Sequence, residues 1–286
     1  MNHIVQNVLI TLVVIIVSLV MATNIAGFRM NQQGEKEARA VLKAAATSNR
    51  NVIVESDLEG LPVCVQKWLR HSNVIGKERI HTVRLKQAGR MRTEPDKPWM
   101  PFQAVQYINV DNPGFVWLAK VQAAPLISML GRDKYYQGEG SMQIKLLGLI
   151  PVVNTKPGFE MKQSTMLRFL AEMIWYPSAA LNDYIKWEEI DTRSARATMT
   201  WQGVSASMVF YFNDEGDLVK NIGPRYREVN GKFVLTDWGG EAQEYREFHG
   251  IRMLSKSDVI WKLPDGEFNW LQLEVTDLDF NQPQLY

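Results

Sequence analysis

The feature that most constrains this chain is an uncharged run near its N-terminus. No residue between His3 and Arg29 carries a formal charge, and residues 8–21 are mostly Leu, Ile and Val. A helix rises about 1.5 Å per residue and the hydrocarbon core of a bilayer is about 30 Å thick, so this run is long enough to cross a membrane. The sequence therefore predicts a single-pass transmembrane anchor over residues 1–28, with the rest of the chain tethered to a bilayer.

The anchor is interpreted as permanent. A secretory signal peptide has a shorter apolar region behind a basic segment, and residues 1–7 contain no Lys or Arg. The alternative is cleavage after Ala22, since Val20 and Ala22 are small enough for a signal-peptidase site. Basic residues follow the run and none precedes it, which alone would place the C-terminal side in the cytoplasm, but long domains often translocate regardless. The membrane side stays open, with an extracytoplasmic domain favoured.

The composition of the chain indicates a globular domain behind the anchor. Hydrophobic residues make up 46% and charged residues 22%, which is enough apolar surface for a core. A net charge of +1 gives no indication of nucleic-acid binding. The single cysteine, Cys64, excludes an intrachain disulfide and a cysteine-rich metal site. It lies at helical spacing among apolar residues, which favours a buried, inert thiol.

The hydrophobic period divides the rest of the chain into two parts. Apolar residues recur every three or four positions over residues 35–47, after a break at Gly34, and again over residues 61–71, which predicts a helical connector over residues 29–76. From residue 77 to residue 286 the period is mostly two. One apolar stripe of helical spacing interrupts it and predicts a helix over residues 165–176, ended by Pro177. We expect an α+β fold, mainly antiparallel, in which a curled up-and-down sheet (a half-barrel) wraps on this central helix.

Turn dipeptides support the antiparallel arrangement. Gln202-Gly203, Asn230-Gly231 and Asp265-Gly266 each separate two alternating segments, and short connections of this kind force neighbouring strands to be antiparallel. Earlier strands are expected over residues 80–92, 102–110, 115–123 and 141–153.

A basic stripe on the first strand is a candidate membrane-surface site. Arg84, Lys86, Arg90 and Arg92 fall on one face of residues 80–92. They would attract anionic headgroups at a membrane surface. The alternative is a solvated outer face whose charges pair with acidic residues of adjacent strands.

The segment 115–121 is apolar on both faces, so each face requires a cover. One cover is the central helix; the other is a ligand cavity, a membrane surface, a protein partner, or another part of the chain itself. On the central helix, Arg168 and Glu172 stand four residues apart. They are interpreted as a structural ion pair, with a polar contact in a pocket or a catalytic role for Glu172 as the alternatives.

Enzyme signatures are missing from the sequence. The four histidines have no metal-ligand spacing, and no phosphate-binding glycine loop or nucleophile motif occurs. We therefore expect no cofactor and no metal, and favour a non-enzymatic protein.

Several segments resemble a bacterial family known only as a domain of unknown function, whose members commonly carry N-terminal membrane segments. The matching segments are residues 61–69, 87–92, 99–106, 115–117, 138–142 and, above all, 168–181, which read RFLAEMIWYPSAAL. The resemblance implies the architecture and no activity. The expected half-barrel also looks like periplasmic lipoprotein carriers, an analogy of fold only.

The sequence thus favours a membrane-anchored binding module for a lipid or another apolar ligand. Its predicted ligand contacts are Trp117, Arg168, Phe169, Glu172, Met173 and Trp175. The alternative function is an envelope structural or assembly protein that binds a protein partner. The expected partners are the lipid bilayer and such a ligand or protein, without nucleic acid.

Overall fold

The fold is a single antiparallel sheet curled around a short helix, with a long N-terminal helix on its outside. The computed structural model describes residues 3–43 and 51–286. The helices are α1 (His3–Lys43), α2 (Val63–His71) and α3 (Phe159–Ala171), and 3-10 turns cover Glu172–Trp175 and Pro177–Leu181. The strands are β1 (Thr82–Met91), β2 (Met100–Asn109), β3 (Gly114–Ala124), β4 (Ile127–Tyr136), β5 (Glu139–Leu146), β6 (Ile150–Asn154), β7 (Ile185–Asp191), β8 (Ser194–Trp201), β9 (Val204–Phe212), β10 (Leu218–Val229), β11 (Lys232–Phe248), β12 (Ile251–Leu263) and β13 (Gly266–Phe280).

The sheet consists of two meanders joined by their first and last strands. Its order is β6-β5-β4-β3-β2-β1-β13-β12-β11-β10-β9-β8-β7. Every pairing is antiparallel, and β1 meets β13 with Leu85 opposite Leu278. Strands β6 and β7 form the two edges, and α3 connects them along the chain. The predicted up-and-down half-barrel wrapped on a helix is confirmed.

The concave face of the sheet packs on α3. This helix lies against strands of both meanders, chiefly β5, β9 and β10. Its buried side chains include Met166, Phe169 and Leu170, which join the main core. Burying each such side chain contributes roughly 1.5–3 kcal/mol, so the curled sheet and the helix stabilise one another.

The convex face of the sheet is covered by the C-terminal half of α1. Ala38, Val41 and Leu42 are buried there against Tyr107 and Val116, in a second apolar cluster. The two-sided apolar pattern of β3 therefore has two covers from the chain itself, α3 inside and α1 outside. The N-terminal half of α1 is exposed; it is long and apolar enough to cross a membrane, and its most apolar 18-residue window has no buried residue.

Two helix boundaries differ from the sequence prediction. Helix α1 continues through Gly34, where a break was expected, and the expected helical residues 44–47 lie outside the described residues. A Cβ at Gly34 would stand 2.5 Å from Leu118 Cδ2, so glycine at this position permits close packing rather than ending the helix. The central helix begins at Phe159, before the predicted residue 165.

The strand expected over residues 141–153 is a hairpin of β5 and β6. Leu147 (φ 52°) and Gly148 (φ 72°) form its turn with positive φ at both positions. Strand β4 was not predicted, since Arg132, Asp133 and Lys134 make its centre look polar. All three side chains form ion pairs with residues of α1 or α3.

Candidate functional site

A buried ion-pair network links α3 to the concave face. The Arg168 guanidinium donates from Nη1 to Asp133 Oδ2 at 2.6 Å and from Nε to Glu172 Oε1 at 2.7 Å. Gln106 Nε2 donates to the other oxygen of Glu172 at 2.6 Å. The Arg168 Cζ atom also lies 4.8 Å from the Phe115 ring centroid and 5.0 Å from that of Trp117. Charges removed from water require partners of this kind, so the network fixes the position of α3.

The six predicted ligand contacts fall into two groups. Trp117, Arg168 and Glu172 meet in the network just described. Phe169, Met173 and Trp175 are almost fully buried, and the Trp175 indole donates to the Leu254 carbonyl at 3.2 Å. The structure thus brings Arg168 and Glu172, the predicted polar contact, together with Trp117. The remaining three side chains lie in the core around α3. Their role as ligand contacts stays a prediction.

A second buried arginine lies beside the network but outside it. Among the described residues, Arg225 of β10 has no hydrogen-bond acceptor and no carboxylate within ion-pair distance, and its Nε atom is buried. Its Cζ atom stands 4.4 Å from the Trp238 ring centroid and 5.8 Å from that of Trp261. Burial lowers the pKa of Arg225 to about 10, and the charge of Arg168 acts in the same direction. The carboxylates of Asp133 and Glu172 act to raise this pKa but do not offset the burial.

Unpaired donors cluster around Arg225. The Nε atoms of Arg225 and Arg227 and the indole Nε1 of Trp238 are buried without an acceptor among the described residues. One buried acceptor, Gln163 Oε1 of α3, also lacks a partner. Buried donors are nearly always satisfied in native proteins, so three donors without a partner on neighbouring strands make this part of the concave face a candidate binding site.

Sequence reasoning missed this aromatic and basic cluster (Arg225, Arg227, Trp238 and Trp261). Trp238 and Trp261 are direct cross-strand partners whose ring centroids are 6.3 Å apart. Arg225 and Arg227 repeat at a spacing of two on β10, which places both on the concave face. The spacing of Arg225 and Arg227 can be read from the sequence. The strand register that places these arginines beside Trp238 and Trp261 cannot.

The predicted basic stripe is paired within the chain. Arg84 lies 2.9 Å from Asp279 and Lys86 lies 3.1 Å from Asp277, both on the adjacent strand β13. The Arg90 Nε atom donates to Gln272 Oε1 at 2.5 Å, and the Arg92 Nε atom donates to the Asn269 carbonyl at 2.9 Å. Arg84 and Lys86 therefore fit the alternative interpretation, in which the stripe is an outer face paired with acidic residues of an adjacent strand. A membrane-surface role for the four residues stays a prediction.

Two clefts open away from the network around Arg168. A cleft of about 550 Å³ lies between α1 and the sheet, with Met30, Lys86 and Leu130 in its wall. A larger one of about 960 Å³ lies near the C-terminal end of α1, with His81 and Asn281 in its wall. Neither is lined by Arg168 or Arg225.

Comparisons with known proteins give a family and a distant structural similarity. A family model described as "Family of unknown function (DUF6544)" matches residues 51–273. No curated protein matches the sequence. Among solved structures, the crystal structure of a LolA superfamily protein from Nitrosomonas europaea is similar at 12% sequence identity and a TM-score of 0.41, over 76% of this chain and 94% of that one.

Proposed function

The chain belongs to this family of unknown function, and we propose that it is a membrane-anchored, non-enzymatic module that binds an amphiphile, a lipid-like molecule with an anionic group. The predicted resemblance to a family of unknown function is confirmed, and the function of that family is unknown. The proposal therefore depends on the residues of this chain, chiefly those of the concave face.

The observation that carries the proposal is the unpartnered guanidinium of Arg225. Asp133 and Glu172 attract this charge from beyond ion-pair distance, but the cost of burying it outweighs their attraction. Native proteins seldom retain such a charge without a role. An anionic group, such as a carboxylate or a phosphate, would accept hydrogen bonds from Arg225, Arg227 and Trp238. Three donors on two paired strands, β10 and β11, suit an acceptor with several oxygens.

Apolar side chains near this cluster would hold the rest of the ligand. Partly exposed apolar residues continue along the concave face from β12 to β4, and all of them pack on the main core. They are Met91, Met100, Trp117, Met129 and Trp261. Methionine is flexible and polarizable, so such a surface adapts to an acyl chain without a fixed shape.

The N-terminal helix supports the choice of ligand by location. As a permanent anchor, α1 would keep the concave face within reach of a bilayer, which is the source of amphiphiles in a cell. The basic stripe of Arg84, Lys86, Arg90 and Arg92 would add attraction to anionic headgroups, if lipid headgroups replace the carboxylates that now pair with it.

Photocrosslinking tests the proposal on the full chain. The protein is reconstituted in phosphatidylcholine vesicles with photoreactive palmitic acid or with the neutral photoreactive hexadecanol, and labelled peptides are mapped by mass spectrometry. We expect the acid to label peptides of β10–β12 and excess unlabelled palmitate to compete. Arg225→Met should lower that labelling by about tenfold or more, because a hydrogen bond to a charged group contributes about 1.5–3 kcal/mol.

Two controls separate the site from the membrane. Labelling of α1 by lipid in the bilayer should be equal for both probes and for all variants, which makes α1 an internal reference. Arg193→Met removes an exposed arginine and should leave the labelling unchanged. Labelling confined to α1, or labelling of β10–β12 that does not saturate, would reject the binding module and favour the alternative of an assembly protein with a protein partner.

A further inference from the structure

We infer that two neighbouring turns of the sheet, residues 123–127 and 147–152, lie in the membrane surface beside α1. The first turn joins β3 to β4 and the second joins β5 to β6. They are called the apolar turns below. This inference concerns how the domain sits on the bilayer and does not depend on the ligand proposed above.

The apolar turns contact α1 inside its uncharged run. A Cβ at Gly148 would stand 2.9 Å from the Gly27 backbone nitrogen, and one at Gly27 would stand 3.5 Å from Leu130 Cδ1. Gly27 precedes Arg29, the first charged residue after the run. The uncharged residues 4–28 span roughly 37 Å at 1.5 Å per residue, more than the hydrocarbon core of about 30 Å. A helix that crosses the bilayer with this run therefore leaves Gly27 at its boundary.

The two turns form one surface. The Leu147 amide, in the second turn, donates to the Ser128 carbonyl, directly after the first, at 2.8 Å. Strands β4 and β5 are paired up to Met129 and Leu146, so both turns project from the same end of the sheet. The contact with Gly27 thus places the whole surface at the level of the membrane boundary.

The side chains at this surface are apolar and exposed. Leu126 is 96% exposed, Ile150 58% and Val152 56%, and Ile127 and Leu149 are exposed as well. Neither turn contains a charged residue. Exposed apolar side chains on the edge strand β6 would promote edge-to-edge pairing in water, whereas a bilayer accepts them.

Basic residues flank the apolar turns. Lys145 precedes the second turn and Lys156 follows it, and Arg29 follows Gly27 on α1. This order suits an anionic membrane surface. The apolar side chains at the tip enter the acyl region, and the lysine and arginine side chains behind them meet the headgroups.

Fluorescence depth measurements on the full chain test the inference. Cys64 is buried and is replaced with alanine, and single cysteines at Leu126 or Ile150 carry an environment-sensitive NBD label in proteoliposomes. The matched control is Gln137→Cys, because Gln137 follows the other end of β4, is exposed and shares the positive φ of Leu126. Ten strand residues separate the two positions by roughly 33 Å.

We expect blue-shifted NBD emission at positions 126 and 150, with quenching by doxyl-labelled lipids several-fold stronger than at position 137. Equal lipid quenching at all three positions would overturn the inference. Protection of positions 126 and 150 from both doxyl lipids and aqueous iodide would also overturn it, since another protein surface, such as a second copy of the chain, would then cover the turns.

Discussion

Arg132 of β4 holds Glu37 of α1 in a two-oxygen ion pair on the convex face. The Arg132 Nη1 atom lies 2.6 Å from one oxygen of the Glu37 carboxylate and 2.7 Å from the other, and Lys134 Nζ lies 3.2 Å from the first. Both partners of the main pair are largely shielded from solvent. This pair joins the long N-terminal helix to the sheet and sets the distance between the uncharged run and the half-barrel.

Replacing Glu37 with glutamine should loosen this joint. The change leaves the Arg132 guanidinium largely buried and without its carboxylate, so we expect the free energy of unfolding to fall by about 2 kcal/mol. Thermal unfolding of the full chain in detergent would measure the loss. Glu35→Gln is the matched control, since Glu35 is exposed two residues away and pairs only loosely with Arg39 at 3.7 Å. An equal effect of both substitutions would contradict a specific role for the Arg132 pair.

The same pair should give the stability a defined pH dependence. Burial acts to raise the pKa of Glu37, but the hydrogen bonds and charges of Arg132 and Lys134 outweigh it and hold the pKa below its ordinary value of 4.5. A lowered folded-state pKa contributes stability that is present above the unfolded-state value and is lost as the pH falls through the folded-state value. The stability difference between the native chain and Glu37→Gln should therefore be constant near pH 7 and shrink below about pH 4.5. Denaturant titrations at several pH values would measure it, and a difference that grows on acidification would contradict this sign.

Gly34 and Leu118 should be energetically coupled. Alanine is favoured over glycine inside a helix by about 1 kcal/mol, but a Cβ at Gly34 displaces the Leu118 side chain. We expect Gly34→Ala to gain little in the native chain and to stabilise a Leu118→Ala background by about 1 kcal/mol. A double-mutant cycle read by thermal unfolding gives the coupling energy. Additive effects would show that the helix and β3 do not approach as closely as 2.5 Å implies.

The sequence predicted features that depend on local pattern. The uncharged run, the change of period from 3.6 to 2 and the Asn-Gly and Asp-Gly turns each depend on neighbouring residues. They predicted the long apolar helix, the half-barrel and the central helix. The same local logic failed at β4, because Arg132 and Asp133 are buried only through partners on α1 and α3 far along the chain. It also failed at Leu147-Gly148, where leucine takes the positive φ that usually indicates asparagine or glycine.

The candidate site was predictable only in part. Arg168 lies in the last turn of α3 and Glu172 directly follows that helix, so their pairing follows from a spacing of four. The cluster around Arg225 depends on the register that sets Trp238 opposite Trp261, and that register is fixed by long-range packing rather than by spacing. A missing partner is likewise a property of the folded chain and has no signature in the sequence.

Two matched substitutions separate a structural arginine from a ligand-binding one. Arg168→Met leaves Asp133 and Glu172 buried without their guanidinium, so we expect a loss of about 3–5 kcal/mol. Arg225→Met breaks no hydrogen bond or ion pair within the described residues. It removes stacking on Trp238 and the attraction to Asp133 and Glu172, but also a charge whose burial outweighs that attraction. We therefore expect unchanged stability or a gain of up to about 2 kcal/mol. Thermal and denaturant unfolding of the full chain measure both.

The comparison of Arg168→Met with Arg225→Met tests the proposed function. If Arg225 serves binding, its substitution should abolish ligand labelling without lowering the free energy of unfolding. A residue retained for binding costs the free protein stability, and its replacement by an apolar side chain removes that cost together with the binding. Arg225→Met should therefore unfold no earlier than the native chain while losing its labelling by photoreactive palmitic acid. If Arg225→Met instead destabilised the chain as much as Arg168→Met, Arg225 would have a structural role, and the anionic part of the proposed ligand would lose its support.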